Sequence, residues 1–313
     1  MAKNNFGLKS RDMVKAVGFA LRNAVNCKAI SIETMVTNRR RWRRFAEFAK
    51  SRGTNWLEDI DPLLVKDYGE EIADLALNED ITADHGQNLV SAVNSVMSIV
   101  THGRWETVSP IACGVPKRNH VRITPPTGFD QNCVDMAIVA LAKAGSERAA
   151  CVVFLAREFG IRLKEAALLD ASAVLVQARA TGVITVVKGT KGGFARNMPI
   201  RNARQMEALE RAAIQQGEHH SLTPASSTWA KFRDGELRAA RSILKACGIH
   251  KYHDLRSAYA CERYKELTGS EAPVFGAPIN DRDLDRRARE TIAIELGHKR
   301  TDVTNCYLGG RRK

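Results

Sequence analysis

The sequence predicts a mainly α-helical protein with one small antiparallel sheet in its second half. Three observations carry that expectation. Apolar residues recur at helical spacing through residues 13–100 and again from residue 130 onward. A stretch punctuated by Pro110, Gly114, Pro116, Pro125, Pro126 and Gly128 separates the two helical regions. Within the second region, residues 173–177, 183–187 and, more weakly, 195–200 are read as strands. The expected organisation is an all-helical domain over residues 1–108, a basic linker over 109–128 and an α+β domain over 129–313.

The first helix follows from Met13, Val14, Val17, Leu21 and Val25, which share one face. Ser31 can cap a second helix that stops at Gly53 and buries Met35, Trp42, Phe45, Ala46 and Ala49. Its other side carries Arg39, Arg40, Arg41, Arg43 and Arg44. A solvated face is the commoner origin of a charge run. Five Arg within six positions repel one another, however, and an adjacent polyanion relieves that repulsion. Asp61-Pro62 opens a third helix to about Leu77, with Pro where its missing N–H costs nothing. Thr82 caps a fourth, with Leu89, Val93, Val96, Met97 and Val100 on one face. The linker then adds Lys117, Arg118, His120 and Arg122, a charge that suits extended backbone lying along a duplex.

In the second region, helices are expected over 130–144, 147–159 (capped by Ser146), 162–169, 202–216, 226–247, 253–267 and 282–296. The sequence Lys188-Gly189-Thr190-Lys191-Gly192-Gly193 reads as a turn between strands. Residues 268–281 form a long loop whose Val274, Phe275 and Ile279 look exposed. A contact with a neighbouring subunit is one expectation for it; packing on its own domain is the other.

Composition narrows the function classes. Lys plus Arg number 48 against 35 acids, a formal charge of +13, which points to a polyanionic partner. No run of 18 apolar residues exists, so no membrane-spanning helix is expected. The first ten residues hold no apolar core of signal-peptide length, and the expected location is cytoplasmic, in a bacterial or phage setting and associated with the nucleoid. The seven Cys are scattered without a CxxC pair, so they are read as reduced residues and no metal site or cofactor is expected.

Four local signals fall in the second region. Arg162 and Glu165 are three apart, so the carboxylate can hold the guanidinium. Lys188 and Lys191 at a hairpin tip can place an ammonium, a proton donor, over a ligand. His253 and Arg256 share a face at a helix start. Leu296-Gly297-His298 ends a helix and Tyr307 follows nine residues later. A phenol can attack phosphorus if charge on the phosphoryl oxygens is stabilised and the leaving oxygen is protonated. Each signal alone is weak, since surface ion pairs, solvated lysines and chance His-x-x-Arg pairs are common.

Taken in order and spacing, these signals resemble the tyrosine recombinase (phage integrase) family over about residues 130–307. The helical domain and basic linker match that family's core-binding half in kind. The resemblance implies that Tyr307, Arg162, Lys188, His253, Arg256 and His298 are catalytic, with Glu165 in support. It implies a 3′-phosphotyrosyl intermediate, with Lys188 protonating the leaving 5′-oxygen, His298 donating to the phosphorane and His253 assisting proton transfer. DNA contacts are expected from Arg39, Arg40, Arg41, Arg43, Arg44, Lys117, Arg118 and Lys191. The implied partners are double-stranded DNA and a homo-tetramer on paired sites, monomeric or weakly dimeric off DNA, with an accessory DNA-bending or directionality protein. Two departures stand out: His298 follows Arg256 by 42 residues, and only six residues follow Tyr307. A type IB topoisomerase-like relaxing enzyme and a catalytically silent DNA-binding protein are the alternatives.

Overall fold

The computed structural model describes residues 3–310. The chain divides into two compact units, one ending at Asn119 and the other beginning at His120. The division falls inside the stretch read as a linker.

Four helices make the first unit: α1 (Met13–Asn26), α2 (Ile32–Ser51), α3 (Pro62–Leu77) and α4 (Ala83–Val100). Each begins at a side-chain cap. Asp12, Ser31, Asp61 and Thr82 accept from the backbone N–H three residues on, which satisfies one orphan donor per helix. The apolar stripes meet in a core where Trp42, Phe45 and Tyr68 are fully buried. Phe45 packs 5.1 Å from Trp42 and edge-on to Tyr68 at 5.2 Å.

The second unit is built around α6 (Glu147–Phe159), whose residues from Ala149 to Phe159 are all buried. A helix covered on every side is a central helix. It packs against α5 (Gln131–Lys143), α9 (Ala203–Gln216) and α12 (Tyr252–Thr268). Alongside lie α7 (Leu163–Leu168) and α8 (Ala171–Thr181), then β1 (Val183–Val186) and β2 (Arg196–Pro199). The two strands are antiparallel, with Val183 opposite Pro199 and Val186 opposite Arg196. The chain continues through α10 (Trp229–Asp234), α11 (Glu236–Ala246), α13 (Arg282–Glu295) and the single turn α14 (Asn305–Leu308). No helix among the described residues is long and apolar enough to cross a membrane.

Two expectations are corrected, and of the two held for the 268–281 loop the structure favours packing on its own unit. Residues 173–177 are helical rather than a strand. The Asp170 side chain caps Ala173 N–H and Gly182 closes the segment in the left-handed conformation, so end signals outweigh two valines among alanines. The expected helix over 226–247 breaks at Gly235 into α10 and α11. The 268–281 loop folds back on its own unit. Val274 is buried as part of a turn of 3₁₀ helix, and Phe275 lies 4.6 Å from Phe129. Val274 and Phe275 thus pack on the core of the unit that carries them, while Ile279 stays half-buried.

Candidate active site

Tyr307 lies on α14 and is only 3% exposed. Its Oη accepts from Arg256 Nε at 3.1 Å and meets His298 Nε2 at 2.9 Å. Arg256 Nη2 also approaches His298 Nε2, at 3.3 Å. A guanidinium can only donate, so that ring nitrogen is an acceptor and the proton sits on Nδ1. The phenol therefore accepts from Arg256 and donates to His298. His253 stacks on the Tyr307 ring at 5.3 Å, with 13° between the planes, and its Nδ1 faces Ser257 Oγ at 3.4 Å.

The fold produces this convergence from three helix ends. His253 and Arg256 occupy the first turns of α12. Arg256 is buried, and it donates to the carbonyls of Gly160 and Leu296, which belong to the loop before α7 and the end of α13. Gly160 can lie so close only because it has no side chain: a Cβ there would fall 2.4 Å from the Tyr259 ring. His298 follows Gly297, which reverses the chain at φ +67° after α13.

Arg162 is the N-cap of α7 rather than a residue within it. Its backbone N–H donates to Glu165 Oε2 at 2.6 Å and its Nη1 to Oε1 at 2.8 Å. Glu165 also receives Arg196 from β2, at 3.0 and 2.7 Å, and Arg196 Nε donates to the Glu295 carbonyl at 2.8 Å. Burial pushes the Glu165 carboxyl up, but the hydrogen bonds and charge of Arg196, with those of Arg162, outweigh it and hold the group at about 2. One carboxylate thus orients Arg162 and ties it to the strand and to the helix that precedes His298. A Cβ at Gly297 would lie 3.1 Å from Arg196 Cδ.

The site is short of negative charge. Among the described residues Arg256 bonds only to neutral acceptors, a costly state for a buried guanidinium. His298 is held at about 4, first by burial and then by the positive charges of Arg256, Arg162, Arg196 and Lys191. The surrounding protein, followed by Arg256 and Arg122, also lowers the pKa of His253, although that residue reaches solvent. Burial first, and then the surrounding positive charge, disfavours protonation of these imidazoles, and the same positive charge suits the site to an anion. No group of His, Cys, Asp and Glu among the described residues could hold a metal ion.

The structure thus brings Tyr307, Arg162, Glu165, His253, Arg256 and His298 together. Lys188 is exposed, with Nζ 3.5 Å from the His220 carbonyl, and the neighbouring Gly189 lies against the backbone of Lys164 and Glu165. Lys191, also exposed, is the turn lysine whose charge is felt at His298. Beside His253, an open groove of about 650 Å³ is lined by Arg241, Lys245, His250 and Lys251. Sequence reasoning did not single out these four, and it read Arg122 only as a basic linker residue; Arg122 pairs with Asp254 at 2.7 Å and donates to Ser257 Oγ at 3.1 Å.

In the first unit, Arg39, Arg40 and Arg43 are exposed and Arg41 and Arg44 half-buried. Desolvation and then the charges of Arg40 and Arg118 lower the pKa of Arg41, and its Nε is buried with no hydrogen-bond partner among the described residues. Arg118 donates to Gln87 and Asn88 on α4, which brings it beside the α2 arginines, and Lys117 is exposed. His85 is depressed by burial and by Arg41, Arg44 and Arg40. Arg40, Arg41, Arg44, Arg118 and His85 thus lie near one another across α2, α4 and the segment after α4, whereas Arg39 lies over Gly18 of α1.

A tyrosine, two arginines and two histidines thus converge in a helical unit that carries a small sheet. A family model described as Integrase matches residues 122–262, which include Arg162, Glu165, Lys188, His253 and Arg256 and stop short of His298 and Tyr307. No curated protein sequence matches the chain. Several solved structures do. A XerH site-specific recombinase bound to palindromic difH substrate (post-cleavage complex) superposes with a TM-score of 0.59 at 15% identity, covering 97% of this chain and 95% of that one. A lambda integrase dimer bound to a COC′ core site gives 0.56 at 15% identity, over 94% and 78%. The Tn1549 transposon integrase in complex with transposon right end DNA gives 0.56 at 10% identity, over 95% of each. At these identities the likeness is one of fold. The chain resembles the tyrosine recombinase family, in sequence over residues 122–262 and in fold over nearly its whole length.

Proposed function

We propose that this protein is a site-specific DNA recombinase that cleaves and rejoins double-stranded DNA through a 3′-phosphotyrosyl intermediate. The observation that carries the reading is the placement of the Tyr307 phenol between Arg256 Nε and His298 Nε2, beside an Arg162 held by Glu165. Arg162 and Arg256 would each offer donors to the non-bridging oxygens of a scissile phosphate. The phosphate's charge would raise the affinity of His298 for a proton. His298 could then take the phenol's proton as Tyr307 attacks phosphorus, and afterwards donate to the developing oxyanion. In that sequence His253 holds the tyrosine ring by stacking, and its part in proton transfer is secondary. Lys188 would swing from the His220 carbonyl to protonate the departing 5′-oxygen, and Lys191 would contact the backbone.

The basic residues of the first unit, Arg39, Arg40, Arg41, Arg43, Arg44, Lys117 and Arg118, would hold duplex DNA through phosphates. Assembly on paired sites as a homo-tetramer completes the reading. The residues that converge argue against a silent DNA-binding protein.

The test is covalent capture. Wild-type protein incubated with fragmented genomic DNA of its source should retain DNA through strong detergent, and sequencing the retained fragments should return a recurrent site. Tyr307→Phe should bind that site and retain none covalently. An adduct that survives in Tyr307→Phe would remove Tyr307 as nucleophile, and relaxation of supercoiled plasmid without recurrent sites would favour the topoisomerase-like alternative.

A further inference from the structure

The nucleophile rides on one turn of helix, four residues long, which has almost no stability of its own. Something else must fix the phenol against Arg256 and His298. The structure assigns that task to Arg289, on α13. Its guanidinium is 5% exposed and donates on both sides of Tyr307: to Asn305 Oδ1 at 2.9 Å, Thr304 Oγ1 at 3.3 Å and the Gly309 carbonyl at 3.2 Å. Asp285, one turn earlier and 1% exposed, accepts from Arg289 Nε at 2.8 Å, and Tyr264 Oη donates to the same carboxylate oxygen at 2.9 Å. Backbone contacts complete the seat. Arg122 N–H donates to the Asn305 carbonyl at 2.9 Å, and Gly309, at φ +82°, leaves no room for a Cβ beside Val274 N at 2.9 Å.

We propose that Arg289 is the positioning residue of the nucleophile: it clamps the 304–309 segment so that the phenol stays in line for attack, without touching the phosphate. The inference rests on the recombinase reading for its catalytic consequence and on geometry alone for the clamp. Misplacing a reacting group by about 1 Å costs on the order of 100-fold in rate, so Arg289→Met should lower the cleavage rate by about that factor while DNA binding is unchanged.

Two measurements test it. The first needs no DNA. In protein labelled with 3-fluorotyrosine, the ¹⁹F line lost in Tyr307→Phe identifies Tyr307. Arg289→Met should shift or broaden that line and leave those of Tyr68 and Tyr252 in place. The second separates nucleophile placement from phosphate activation. Joining a 5′-hydroxyl strand to a 3′-p-nitrophenyl phosphate end on the captured site needs Arg162 and Arg256 but no tyrosine. Arg289→Met should join at a rate within about threefold of wild type, whereas Arg256→Ala should fail at both steps. Asn305→Ala removes one acceptor and leaves the Arg289–Asp285 pair in place. It should show the same pattern with about a tenfold loss of cleavage, and stands in if Arg289→Met does not fold. An unmoved Tyr307 line overturns the clamp, and equal losses in cleavage and joining overturn the positioning role. If wild-type protein forms no adduct on any DNA, the recombinase reading fails while the ¹⁹F result still decides the clamp.

Discussion

Replacing Glu165 by Gln changes one oxygen to an amide nitrogen and removes one charge from a fully buried position. The carboxylate accepts four hydrogen bonds, two from Arg162 and two from Arg196. An amide can accept at one atom only, and its NH₂ must face a donor. Arg196, itself 8% exposed, loses its countercharge. The distance between an ordinary Glu value of 4.5 and about 2 in the folded protein corresponds to about 3 kcal/mol, taking roughly 1.4 kcal/mol per pH unit. Breaking a buried ion pair by removing one partner costs a similar amount, about 3 to 5 kcal/mol. Because the folded value is depressed, the stabilisation is full above pH 4.5 and is lost as pH falls toward 2. The assay is hydrogen exchange in increasing urea, read on peptides from α6 and α7 so that only the second unit is followed. Glu165→Gln should open with about 3 kcal/mol less urea-free stability at pH 7. That deficit should shrink by about 1.4 kcal/mol at pH 3.5, where the unfolded wild type binds the proton and the folded protein does not. A deficit below about 1 kcal/mol, or one that does not change between pH 7 and 3.5, would refute the view that one ionised carboxylate orders Arg162 and Arg196.

Three further outcomes are expected. Lys188→Ala should lose cleavage of ordinary DNA and recover it on a substrate with a 5′-bridging sulfur, which leaves without a proton; recovery in Lys191→Ala alone would transfer the acid role to the lysine that already acts on His298. His298 has a folded value near 4 against an ordinary 6.5, so the stability it contributes is complete above 6.5 and falls away down to about 4; His298→Asn should show a flatter urea midpoint across that window, and an unchanged slope would contradict a neutral imidazole there. Cleavage should continue in excess EDTA because the arginines supply the charge, and strict dependence on added magnesium would contradict the mechanism.

Arg162 with Glu165, His253 with Arg256, and His298 with Tyr307 could be read from the chain because each pair is local. Spacing along a helix or around its end already brings the two members together, so order and separation identify them before any packing is known. Arg196 could not be read in that way. It is 31 residues from Glu165 and 99 from Glu295, and its task exists only once β2 lies between them. One clue was available: β2 buries alternate positions, Arg196 and Met198, and an Arg at an inward strand position asks for a carboxylate. Arg289 was hidden likewise, as one more basic residue on a helix crowded with charge. The strand expected at 173–177 fails because Asp170 and Gly182 mark the two ends of a helix there. For the 268–281 loop, the burial of Val274 and the pairing of Phe275 with Phe129 depend on residues far away in the chain, which local pattern does not reveal.

Gly297 has a consequence for genetics. It turns the chain at a positive φ and lies within van der Waals reach of Arg196, the same side chain that holds Glu165 and, through it, Arg162. A side chain at 297 would strain the turn that presents His298 and displace Arg196 by a few tenths of an ångström. Mutations at 165, 196 and 297, far apart on the map, should therefore form a single phenotypic class in a screen for defective strand exchange: normal occupancy of the target, little covalent product, reduced tolerance of heat. Reversion at 297 should come back almost always as glycine. A smaller residue at 196 would restore the space and still leave Glu165 without its partner, so second-site suppressors there should be rare.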